Sequence, residues 1–204
     1  MPGLMTQPMA PLSGEVPAKS VISGQIRNKA WTLTCGASTR DFIAGGELFA
    51  SAKLDLPKTV SILVINRVLK DRLEKVAFRT YTSSVKTLLD QDLPREMYWL
   101  ATHQEAGWDD MPWAFWGRFA VLASDARDPR KWVTSELAEQ LIAWIGGASF
   151  LNIDTPFMLT LMRGRVEMRM EFEEADEPRL SHAINAFTTA CMAAIDNFLP
   201  DIEI

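Results

Sequence analysis

The chain has 204 residues, 48% of them apolar and 23% charged, and a formal net charge of −5, the ordinary range of a globular protein able to bury one sizeable core. The acidic balance argues against nucleic acid as a partner, because that affinity comes from cationic side chains displacing counterions. No apolar run approaches the roughly 20 residues that cross a bilayer, and the N-terminus lacks the basic start and apolar stretch of a signal peptide. A cytoplasmic protein with no membrane segment is therefore expected.

Cys35 and Cys191 stand far apart with no Cys or His cluster beside them, which indicates neither a disulfide framework nor a structural metal site. Residues 1–20 carry four prolines and two glycines and no periodic apolar face, a composition that buries too little to offset its own ordering entropy. They read as an extended tail, and residues 21–204 as a single domain.

Along that domain, Trp31, Leu33 and Cys35 alternate with Thr32 and Thr34, the period of a half-buried strand. Residues Thr39 to Lys53 read as a helix capped by Ser38 or Thr39, with Phe42, Gly46 and Phe49 on one face. After them one punctuation mark recurs: Asp55-Leu56-Pro57, Asp92-Leu93-Pro94, Asp110-Met111-Pro112, Asp154-Thr155-Pro156 and Asp176-Glu177-Pro178, with Asp128-Pro129 as a shorter relative. Aspartate accepts hydrogen bonds from the unpaired amides of a first helical turn, and proline sits where no donor is needed. The six marks predict six helices, arranged as an antiparallel bundle or a short array of helical hairpins.

The stretch from Leu93 to Asp125 holds Trp99, Trp108, Trp113 and Trp116, four of the seven tryptophans. Its two marks predict a core hairpin of helices, Pro94 to Ala106 and Pro112 to Ser124, the second apolar nearly all round. After Pro156 a short helix to Met162 is expected. A strand follows, in which Val166, Met168, Met170 and Phe172 alternate with Glu167, Arg169 and Glu171, and its expected partner is the run from Trp31 to Cys35. A last amphipathic helix, Pro178 to Leu199, presents Leu180, Ile184, Phe187, Cys191, Ala194, Ile195 and Phe198 as one stripe. The expected fold is mainly α, a helical bundle or helical-hairpin array of six to eight helices, with at most a minor two-stranded β element around residues 29–35 and 166–172.

His103, Glu105, Asp109 and Asp110 form the one cluster that joins a histidine to several carboxylates, rimmed by Tyr98 and Trp108. Such a set suits acid/base work or a metal, but residues two apart on a helix point different ways, and no cofactor or metal is expected. The aspartates serve equally as caps of the next helix. Arg72, Lys75 and Arg79 share a helix face, and an acidic run from Glu167 to Glu177 lies about a hundred residues later, a pairing that suits contact with a partner or a second copy. The Arg163-Gly164-Arg165 triplet reads as a turn with exposed arginines. No GxSxG, SxxK, GxGxxG, HExxH or EF-hand pattern is present, which shifts the balance from catalysis toward binding. The sequence therefore reads as a non-enzymatic adaptor or scaffold that binds a protein partner and self-associates through opposed basic and acidic faces. The second reading is a small-molecule binder or enzyme with an aromatic pocket near Trp99, Trp108 and His103.

Overall fold

The computed structural model describes residues 20–83, 95–144, 152, 154–172 and 177–199. The expected tail, residues 1–20, lies outside them but for Ser20. Instead of a helical bundle, the chain builds one eight-stranded antiparallel sheet, so the expectation of a mainly α fold with at most a minor two-stranded β element is overturned. The strands are β1 (Ser20–Ile26), β2 (Lys29–Ala37), β3 (Gly46–Lys53), β4 (Ser61–Asn66), β5 (Gln104–Ala106), β6 (Phe119–Ala123), β7 (Phe157–Met162) and β8 (Arg165–Glu171). Their order across the sheet is β1-β2-β3-β8-β7-β4-β6-β5. The helices are α1 (Arg67–Ser83), α2 (Arg95–Thr102), α3 (Trp113–Trp116), α4 (Pro129–Trp132), α5 (Ser135–Ala143) and α6 (Glu177–Phe198).

Two of the connections are two-residue hairpins. Arg27 and Asn28 join β1 to β2 with φ of 43° and 65°, and Arg163 and Gly164 join β7 to β8 with φ of 52° and 73°. Positive φ at both loop positions gives the backbone twist that matches paired strands. Gly164 is constrained twice, since a Cβ there would stand 2.8 Å from the Leu56 carbonyl oxygen.

Alternation along β4 divides the core. Ile62 and Val64 face a large apolar cluster shared with α3 to α6, whereas Leu63 and Ile65 face a smaller one with Leu69 and Leu73 of α1 and Trp99 of α2. The middle of the sheet is thus covered on both faces. Helix α6 meets the large cluster through Ala183, Ala186, Ala190 and Ala194, small residues that let its backbone approach the sheet. The buried Trp132 indole N–H of α4 donates to the Ala190 carbonyl at 2.9 Å, tying the two helices together.

The strand expected at residues 29–35 and the one at 166–172 both form, as β2 and β8, but they do not pair. β3 lies between them, with Leu48 opposite both Cys35 and Met170. The helix expected over Thr39 to Lys53 is a loop followed by β3. Asp55 starts a turn in place of a helix: it has φ of 56°, and its carboxylate pairs with Lys29 at 2.9 Å. The expected helix at Pro156 is β7, because the Pro156 carbonyl accepts the Glu171 amide at 3.0 Å and draws the chain into the sheet. The helix expected from Pro112 to Ser124 lasts only through α3 and gives way to β6, which is buried at every position. The helix beginning at Pro94 appears as α2, shorter than expected, and the last helix forms as α6.

Candidate functional site: a tryptophan-lined cleft at the sheet edge

Strand β5 ends the sheet, and among the described residues no strand pairs with its outer side. The chain leaves it through Gly107 and turns back into α3. Met111 and Phe115 are buried in the large core and anchor this return. Trp113 is two residues from each anchor and points away from both, 85% exposed. Trp108 and Trp116 pack against the core only in part, with their rings edge-on at 4.9 Å.

An open cleft of about 450 Å³ results, lined by Arg67, Glu105, Trp108, Asp109, Trp113 and Trp116 among others, a size typical of recognition sites. Its inner wall is an ion network. Arg67 donates through Nε to the Trp116 carbonyl and through Nη2 to Glu105 at 2.9 Å. Lys70 bridges Glu74 at 2.7 Å and Glu105 at 3.5 Å. Burial works against the Lys70 charge, but its two carboxylate partners outweigh that effect and hold its pKa above the ordinary value. The wall thus carries two cations and two carboxylates that pair with one another.

Of the residues singled out from sequence, Glu105, Trp108 and Asp109 come together in this cleft. His103 and Trp99 do not line it. They stack on each other at 4.7 Å, and His103 reaches Ser61 of β4 through Nε2 and Thr102 through Nδ1, each at 2.8 Å. A serine on the Nε2 of a histidine is the pairing a nucleophile needs. The group at Nδ1 is a neutral hydroxyl, however, and not the carboxylate that would stabilise an imidazolium. The arrangement fastens α2 to the sheet. Tyr98 is 64% exposed and contributes its carbonyl, which accepts the Thr102 hydroxyl at 2.8 Å.

Arg72, Lys75 and Arg79 are exposed on α1, but Asp71 and Glu74 lie among them, and Arg72 donates to the Phe42 carbonyl at 3.2 Å. The acidic residues of β8 are likewise interleaved with Arg165 and Arg169. Residues 173–176 of the acidic run lie outside the described residues. A smaller, partly open cavity between Trp99, Leu63, Met158, Met162 and Arg169 has about 40 Å³ of space, room for about three waters, and is too small for a drug-sized ligand. Sequence reasoning missed Arg67, and it missed that Trp113 projects outward. The signal was the spacing of Trp113 from the apolar anchors Met111 and Phe115, which a long helix would have masked.

Among the described residues no three His, Cys, Asp or Glu side chains gather to hold a metal ion, and no helix is long and apolar enough to cross a membrane. No protein-family model matches the sequence, and no curated protein matches it either. One solved structure, that of the mycobacterial trehalose monomycolate transport factor A, TtfA, is similar at 9% identity over 92% of this chain and 77% of that one, with a TM-score of 0.49. A likeness this slight supports no inference about either fold or role.

Proposed function

We propose that the protein is a non-enzymatic adaptor that binds an extended segment of a partner protein in the cleft beside β5. The observation that carries this reading is Trp113, 85% exposed in a cleft that Trp108 and Trp116 also line. A large ring held out in water gains most when a partner covers it, and tryptophans dominate binding energy at interfaces. The outer edge of β5 offers backbone groups to an added strand. With only three residues in β5, that edge sets direction and the tryptophans supply most of the affinity. Two buried cysteines that form no disulfide, Cys35 and Cys191, suit the reducing cytoplasm.

Selection of a random peptide library displayed on phage against the immobilised protein tests the reading. Enriched peptides, made synthetically, are expected to bind the wild type and to lose about tenfold in affinity on Trp113→Ala, the loss expected for a central interface tryptophan. A selection that enriches nothing, or peptides that bind Trp113→Ala equally well, would overturn it.

A further inference from the structure

The charges around the cleft do not cancel. Arg67 and Lys70 are matched by Glu74 and Glu105 at 2.7–3.5 Å, so that network is balanced. Asp110, next in the chain, is paired with Arg130. Asp109 lines the cleft and has no ion-pair partner among the described residues. One uncompensated carboxylate therefore stands among three indoles, whose faces carry the negative side of the aromatic quadrupole. A carboxylate or phosphate entering the cleft would meet both unfavourably. A cation would meet both favourably, since an ammonium or guanidinium over an indole and beside a carboxylate gains from each.

We propose that the bound segment presents a basic side chain, lysine or arginine, to the face of Trp113 with its charge toward Asp109. This rests on the peptide-binding reading and names the chemistry of the partner. The long methylene stem of such a residue also suits the site, because it can cover the exposed ring while the charged end stays near water.

The test repeats the peptide selection on the wild type and on Asp109→Asn, an exposed substitution, with far-ultraviolet circular dichroism to check that the variant is folded. Wild-type selections are expected to share a lysine or arginine at one fixed position, and Asp109→Asn selections to lose that preference. In a selected synthetic peptide, replacing that residue by norleucine or citrulline is expected to weaken binding about fivefold, with the difference shrinking as salt rises. Peptides that depend on Trp113 but share no basic position, or share an acidic one, would overturn this inference and leave the peptide-binding reading standing. A selection that yields no Trp113-dependent peptide would overturn both.

Discussion

Thr102 has a single hydroxyl proton, which goes to the Tyr98 carbonyl, so its oxygen can only accept from His103 Nδ1–H. In the neutral ring, which burial favours, Nε2 then accepts from the Ser61 hydroxyl. Burial is the cause that lowers its pKa below the ordinary 6.5. Below that pH the unfolded chain takes up the proton more readily than the folded one, so stability is lost as pH falls. His103→Gln removes this part of the pH dependence. The urea midpoint is expected to drop less between about pH 7 and about pH 5 in the variant than in the wild type, and equal drops would remove the assignment. A second residue-scale test concerns Glu47, which is 7% exposed and pairs with Arg169. The Arg169 guanidinium lies 3.9 Å from the Phe49 ring, and Ser38 donates to the other Glu47 oxygen at 3.0 Å. Arg169→Ala leaves a buried carboxylate with only a hydroxyl partner, and the expected loss is about 3 kcal/mol by urea unfolding. A loss under about 1 kcal/mol, the value of an exposed pair, would show that water reaches Glu47.

At the scale of elements, close approach of α6 to the sheet depends on its alanine stripe. Ala190 is fully buried, and its carbonyl also holds the Trp132 indole. Ala190→Leu must push the helix away or distort side chains, and is expected to cost about 2 kcal/mol, read as a lower urea midpoint with an unchanged slope. The same elements show what the sequence could disclose. On β2 and β8 only one face is covered by the core, so apolar and polar residues alternate and both strands are legible. On β4 and β6 both faces are covered, the runs Ile62 to Ile65 and Phe119 to Ala123 are apolar throughout, and period two disappears. Phe119 to Ala123 was therefore readable equally well as a buried helix, which the preceding Asp110-Met111-Pro112 mark favoured. That mark does begin a helix, but one of four residues. At Asp55 and Asp154 the same letters make turns into strands, because an aspartate and a proline suit a turn as well as a helical start. In the candidate site, composition pointed to Glu105, Trp108 and Asp109, whereas Arg67 joins them only through the pairing of β4, β6 and β5.

For the molecule as a whole, the basic residues of α1 and the acidic residues of β8 lie on the same side of the sheet. Val166, Met168 and Met170 fill the large cluster, so Glu167 and Glu171 project to the opposite face, the one on which Leu69 and Leu73 of α1 pack. Two copies related by a two-fold axis can set Arg72, Lys75 and Arg79 of one against Glu167 and Glu171 of the other. These groups are exposed or half-buried and interleaved with opposite charges, so they guide encounter more than they hold a complex together. Self-association through them is therefore expected to be weak and salt-dependent. In light scattering coupled to size exclusion, the apparent mass should rise above the monomer value of 22.9 kDa only at high protein concentration and low salt. At about 0.5 M salt, where screening acts within a few ångströms, it should return to the monomer. A mass that stays monomeric at every concentration and salt would remove the dimer and leave the proposed peptide site at the tryptophan cleft, on the far edge of the sheet, untouched, because the two surfaces share no residue.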